Sequence, residues 1–307
     1  MNTALLTIQV LNGLQLGVIL FLVAAGLTLV FGVMDFINLA HGVQYMLGAY
    51  LAATAVAFTG HFGLGLALGL LGTLVIGFVL EILVFRHLTG RDHLEQVLAT
   101  FGLILFTTEA VKMVFGASPI GMRTPEILSG SVAIMPGLLY PVWRIAIIVS
   151  GIAVAVLLWV LVARTRIGML VRAGSTHAPM VSALGVDIDR LFMIVFAFGA
   201  MLAGFAGAMA APILSVEPNM GDTVLILAFV VIVIGGIGSI RGAFIAALMV
   251  GLVDTLGRAF MTDILKLAVS NSAAAKAGPA LASMLIYVLM ALVLTVRPQG
   301  LFPAERR

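Results

Sequence analysis

The run from Ile8 to Phe31 constrains this chain most: it is predominantly apolar and carries no charged residue. A helix rises about 1.5 Å per residue, so roughly 20 apolar residues cross the hydrocarbon core of a bilayer. Comparable runs recur at Val43–Phe58, Phe62–Phe85, Val97–Phe115, Val142–Ala163, Leu191–Ile213, Thr223–Ile240, Ala243–Gly257 and Pro279–Val296. In lipid, each backbone N–H and C=O must find its partner inside the protein, so runs of this length are read as helices. Composition agrees. Of 307 residues, 62% are hydrophobic and 9% charged, where a soluble domain carries about a quarter charged residues. The mean hydropathy of +1.23 excludes a water-facing surface. The expected fold class is therefore all-α, a polytopic helical membrane protein, with residues 1–307 forming a single transmembrane domain. Cysteine is absent, which removes a disulfide framework, a thiolate metal site and a cysteine nucleophile. The net charge of +3 reports membrane topology and does not point to nucleic acid.

Orientation follows from the basic residues. The segment Arg164–Arg190 holds four arginines against two aspartates between two apolar runs, and clustered arginine in a short loop marks the cytoplasmic side. No lysine or arginine precedes Arg86, so the start lacks the basic region of a cleaved signal peptide and is expected outside. Arg297, Arg306 and Arg307 put the tail inside. The expectation is about eight spans, N-terminus out and C-terminus in, with Arg86–Glu95 inside. Gly116–Pro141, rich in Gly, Ser and Pro, is expected as an outer loop.

Val43–Phe58 and Ala243–Gly257 are short for full spans, and each follows a Gly-interrupted stretch. The first stretch, Gly32 to Gly42, holds Asp35, Asn38 and His41; the second is Gly235-Gly236-Ile237-Gly238-Ser239-Ile240-Arg241-Gly242. Broken helices at corresponding places in two halves point to internal repeats, with the solute route near the break. Ordinary surface loops are the plainer reading. Polar groups inside a membrane usually face a cavity or mark function; Asp35, Asn38, His41 and Gly42 are read as helix-break and pore-lining residues rather than as direct chemistry, with His41 bonding backbone at the break. Gly235, Gly236, Gly238 and Ser239 lack the Gly-Lys-Ser/Thr ending of a phosphate loop and are read as close helix packing, as is Leu202–Ala208. Glu109 with Lys112, and Asp254 with Arg258, are spaced to pair along one helix face. No Ser/His/Asp constellation stands out, so no catalytic residue is assigned; no metal-ligand spacing surrounds His41.

Within the arginine segment, Pro179 fits only a first helical turn. Ser175 or Thr176 could cap that turn and Gly185 could end it, giving a helix of about two turns. A docking element and a solvated connector both fit these residues.

The chain resembles the permease subunits of branched-chain amino acid importers of the ATP-binding-cassette class. Gly26-Leu27-Thr28-Leu29-Val30-Phe31-Gly32, Asn38, Ala40-His41-Gly42 and Gly48-Ala49-Tyr50 look like the family's first signature. Thr165, Gly168, Arg172-Ala173 and Leu184-Gly185-Val186 look like its cytoplasmic coupling loop. Leu202-Ala203-Gly204, Gly235-Gly236, Gly238-Ser239 and the tail Arg297-Pro298-Gln299-Gly300-Leu301-Phe302 match its later segments. Asp35 stands where the family more often has a basic residue, and His177-Ala178-Pro179 where acidic or amide residues are commoner. The resemblance implies a bacterial inner-membrane transport subunit without an ATPase motif of its own, and so not an enzyme. It implies cargo such as branched-chain amino acids, or in related systems urea, short amides or aromatic acids. It also implies a coupling segment at 164–190, with Thr165, Gly168, Arg172, Ala173, Pro179, Leu184 and Gly185 contacting an ATPase. The implied partners are two cytoplasmic ATPase subunits that use ATP and Mg, a second, similar permease and a periplasmic or lipoprotein solute-binding protein, with membrane lipid around them. A facilitative channel would leave the arginine segment without a partner, and a secondary transporter would need an ion site, for which Asp35 is the obvious carboxylate.

Overall fold

The computed structural model describes residues 3–302; Arg306 and Arg307 of the basic tail lie outside the described residues. The chain is helical almost throughout. The helices are α1 (Thr3–Met34), α2 (His41–Thr59), α3 (Phe62–Leu80), α4 (Arg86–Leu88), α5 (His93–Phe115), α6 (Val142–Arg164), α7 (Arg166–Ala183), α8 (Ile188–Ala210), α9 (Met220–Gly235), α10 (Ile240–Leu265) and α11 (Asn271–Val296). A π-helical turn, Glu81–Phe85, joins α3 to α4, so one long rod runs from Phe62 to Leu88. The outer loop expected at Gly116–Pro141 contains a small antiparallel hairpin, β1 (Ser131–Met135) with β2 (Leu138–Pro141), turned at Gly137 with φ 79°.

Among the described residues, seven helices are long and apolar enough to cross a membrane: α1, the Phe62–Leu88 rod, α5, α6, α8, α10 and α11. The shorter α2 and α9 lie between them. Against an expectation of about eight spans stand these seven and the two shorter helices, α2 and α9. The assignment of short segments shifts. Ala243–Gly257 was expected to be short, yet α10 continues to Leu265 in a 26-residue helix. Its polar residues do not end it because they pair along its length: Arg258 Nε donates to both Asp254 carboxylate oxygens at 2.9 and 3.0 Å, and Lys266 Nζ meets Asp263 at 2.8 Å. The short elements are α2 with 19 residues and α9 with 16.

Helix α1 is the axis of the molecule. Four-fifths of its most apolar window is buried, against about a fifth for α5, α6 and α11. It packs against α6, α8, α9 and α10, and the contacts are made by glycine. Gly13 and Gly17 face the backbone of α10 at Gly251–Leu252 and Ala247–Leu248, Gly26 faces Gly199 of α8, and on the next layer Gly48 of α2 faces Gly204 of α8. Lipid tails are as apolar as leucine, so membrane helices associate through close packing of small residues rather than through burial from water. The rest of the core is large side chains filling between these contacts, including Phe21 edge-on to Phe244 and the Phe36–Phe85–Phe196 cluster.

Candidate functional site

The first break begins where α1 stops. Asp35 takes φ 49°, in the left-handed region that a non-glycine residue rarely adopts, and its amide closes the helix on Phe31 O at 3.0 Å. Asp35 itself is exposed. The chain then folds back along α1. His41, the first residue of α2, is fully buried beside Gly26 and its Nε2 sits 3.1 Å from Val23 O. Helix α2 therefore starts beside the middle of α1, about 12 Å back from its end at 1.5 Å per residue. The fold-back is pinned on its other side by Gln96 of α5, whose Oε1 accepts from the Ile37 amide at 3.2 Å. Asn38, His41 and Gln44 are fully buried, and both polar atoms of Asn38 and Gln44 and Nδ1 of His41 lack a protein partner. Buried polar atoms of this kind are usually paired, so this is the densest unsatisfied polar cluster among the described residues. Gly42 meets Gly221 at the start of α9 backbone to backbone; neither helix start carries a side-chain cap.

The second break lies against the first. A Cβ on Gly32 would sit 3.0 Å from the Gly238 Cα. Gly235 packs on Gly242, Gly236 and Gly238 take φ 101° and 80°, and the Ser239 hydroxyl caps α10 by accepting from the Gly242 amide at 3.1 Å. The tail closes over this turn: Leu301 and Phe302 donate their amides to Ile234 O and Gly235 O at 2.8 and 3.0 Å, and Arg297 reaches Leu301 O at 3.2 Å. The sequence motifs Gly235–Ser239 and Arg297–Phe302, 62 positions apart by their first residues, thus form one structural unit.

The arginine segment is more ordered than a loop. Nearly all of Arg166–Ala183 is helical, with one kink at His177 (φ −156°, ψ 78°) just before Pro179. His177 stands two residues ahead of Pro179, which leaves the proline in the first turn of the second helical piece, where its missing N–H costs nothing. The cap expected from Ser175 or Thr176 comes from His177 instead, whose Nδ1 accepts from the Met180 amide at 3.2 Å; both hydroxyls turn back to Arg172 O. Gly185, at φ 89°, ends the tip with Gly185 N to Ser182 O at 2.9 Å and Val186 N to Val181 O at 3.4 Å, the two-bond C-terminal motif that favours glycine. Thr165 caps the start by accepting from Gly168 N at 3.1 Å, and Arg172 donates back to Val162 O at the end of α6. Gly168, Val171, Gly174 and Val181 face the body, with Gly174 close to Leu191 of α8. Ala173 is half-buried, whereas Pro179, Met180 and Leu184 are exposed, the last by 80%.

One further cluster escaped sequence reasoning. At the opposite end of α1 from Asp35, Arg144 in the first turn of α6 donates to Asn12 Oδ1 at 2.6 Å and Gln15 Oε1 at 3.2 Å, and the Tyr140 hydroxyl donates to Asn12 Oδ1 at 3.2 Å. Burial raises the pKa of the Tyr140 phenol against the lowering influence of Arg144, so it keeps the proton that it donates. The sequence separations of 128 to 132 residues explain why no local pattern announced it.

Comparison with known proteins follows the same outline. The family model described as "Branched-chain amino acid transport system / permease component" matches residues 9–294. The chain is 29% identical to the high-affinity branched-chain amino acid transport system permease protein BraD of Pseudomonas aeruginosa, covering 95% of this chain and 94% of that one. It is 28% identical to LivH of Escherichia coli over the same shares, and 25% identical to a probable LivH of Methanocaldococcus jannaschii over 78% of this chain and 76% of that one. No solved structure matches significantly. With the family model spanning nearly the whole chain, the protein belongs to the family of permease components of branched-chain amino acid transport systems: a multi-pass inner-membrane transport subunit and not an enzyme.

Proposed function

We propose that this chain is one of two permease subunits of an importer of branched-chain amino acids, beside a similar partner permease, two cytoplasmic ATPases and a periplasmic or lipoprotein solute-binding protein. Family membership implies that ATP is used by partner subunits. The observation that carries the coupling assignment is the construction of α7. Its root is locked to α6 through Thr165, Gly168 and Arg172, its middle rests on α8, and its tip presents Pro179, Met180 and Leu184 outward behind a left-handed stop at Gly185. A helix rooted on two spans and apolar at its free end suits a lever in a cleft of an ATPase. Nucleotide-driven closure would then shift the population between inward- and outward-open arrangements of the spans. The two breaks, at Asp35–Gly42 and Gly235–Ser239, are the natural hinges, since each interrupts a helix beside the other.

Gly185→Pro tests this. Proline cannot take φ 89°, and a Cβ at Gly185 meets no neighbour, so damage stays local to the tip. In the assembled importer, cargo uptake should fall at least about tenfold while ATP hydrolysis persists, a coupling loss of about 1.4 kcal/mol or more. Uptake at the unmodified rate would refute the assignment. A secondary transporter fits less well: Asp35, the carboxylate it would use, stands exposed at a helix end.

A further inference from the structure

The rod from Phe62 to Leu88 carries an unusual turn beside the first break. Glu81–Phe85 is the one π-helical turn among the described residues, and single π-turns inside α-helices are frequent at functional sites. Glu81 is only 2% exposed in a rod apolar enough to cross a membrane, where a buried carboxylate is costly and marks function by default. Its partner is Arg86, whose Nη2 lies 3.2 Å from Glu81 Oε2. Residues five apart point about 140° away from each other on an α-helix; the wider π-turn brings these two to one side. The same turn sets the fully buried Phe85 edge-on to Phe36 of the first break, with ring centroids 5.3 Å apart, and 4.4 Å from the ring of Phe196 on α8. Arg86 also reaches Met193 Sδ of α8 at 3.9 Å. Beyond the turn, Gln96 Nε2 donates to Leu88 O and Arg91 O at 3.4 and 3.2 Å, while its Oε1 holds the Ile37 amide of the break.

From this arrangement we infer that the π-turn is the link through which movement of α7 reaches the first break, with Glu81 and Arg86 as its positioning residues. The contacts run without a gap. Gly174 of α7 lies close to Leu191 of α8. Met193 and Phe196, just beyond Leu191 on α8, touch Arg86 and Phe85. Phe85 and Gln96 then hold Phe36 and Ile37. Chains of packed side chains carry coupling where a member has two arrangements. A π-turn is such a member, because helices bend there, and the Glu81–Arg86 pair fixes the turn that aims the Phe85 ring. The inference rests on the lever reading of α7 and goes beyond it: that reading names the tip that is moved, and the π-turn supplies the route from there to a hinge.

The test is hydrogen exchange, read by mass spectrometry, on the assembled importer in lipid nanodiscs, nucleotide-free and with ATP and vanadate. Cargo uptake and ATP hydrolysis are measured in parallel. In the unmodified assembly, amides 180–186 at the α7 tip and 36–40 at the first break should both change their exchange between the two conditions, by about threefold or more. Glu81→Gln, which keeps the shape and removes the charge, should leave the response at 180–186 and lose it at 36–40. Uptake should then fall about tenfold or more while ATP hydrolysis persists, the scale expected from losing a hydrogen bond to a charged group. Arg86→Lys should keep part of the response, and Phe85→Leu should repeat the effect of Glu81→Gln through the ring instead of the charge. A Glu81→Gln or Phe85→Leu assembly that still responds at both segments, or an unmodified first break that ignores nucleotide, would overturn the link and leave the α7 assignment standing. Loss of the response at both segments in these variants would also overturn it, by marking the turn as part of the general fold. An unmodified α7 tip that ignores nucleotide would overturn the α7 assignment and the link together.

Discussion

At the scale of single residues the molecule depends on what glycine lacks. Gly207 of α8 packs directly on the Tyr45 carbonyl of α2, where an added Cβ would collide with backbone that cannot yield. Gly102 lies on the exposed side of α5 with nothing near it. The two should therefore respond to alanine with opposite signs. Gly207→Ala should destabilise by about 1–3 kcal/mol through overpacking, and Gly102→Ala should stabilise by about 0.5–1 kcal/mol through helix propensity. Thermal unfolding in detergent reads both; equal shifts would show that the α2–α8 contact is looser than the structure has it. Composition reveals that 34 glycines are present, but not which of them meet a neighbour, because that depends on the pairing of helices distant in sequence. The same limit hid the buried polar atoms of Asn38 and Gln44. Asn38 drew notice as a polar residue beside a span; that Gln44 joins it in a fully buried cluster follows only from the fold-back onto α1.

At the scale of elements, the second break and the tail act as one piece. The tail amides of Leu301 and Phe302 satisfy the last carbonyls of α9, which would otherwise stay unpaired. Gly300, at φ 83°, lies against Gly236 with no room for a side chain. Gly300→Val should lift the tail away. Hydrogen exchange at Leu301 and Phe302 should then accelerate at least about tenfold, the loss of 1.4 kcal/mol or more of protection, while amides in the middle of α1 keep theirs. Unchanged exchange would mean that the strap does not depend on the Gly236–Gly300 contact. Sequence reasoning identified both motifs but treated them as separate features, because hydrogen bonds between them leave no periodic trace. It read Gly185 as the end of a short helix correctly in position, since a left-handed stop has a residue signature, and it placed the cap wrongly on Ser175 or Thr176, since hydroxyls compete for nearby carbonyls within their own helix.

At the scale of the whole molecule, hydropathy was the most legible quantity, because a bilayer demands helices of a set length. The helical class and the membrane location followed from it directly. The number of crossings was less legible: α2 and α9 are short and inward-packed, and charge pairs inside α10 resembled an end. The Arg144 cluster was not legible, since Asn12 and Gln15 are polar residues in an otherwise apolar run until the fold sets Arg144 beside them. What the whole molecule does depends on its partners, and the central claim is that it is a pore subunit moved by ATPases. The most direct test is native mass spectrometry of the assembly purified from its own membrane through a tag at the C-terminus. The expected assembly holds this chain, a second permease and two ATPase subunits. A homo-oligomer of this chain without any ATPase would contradict the account and favour a facilitative channel.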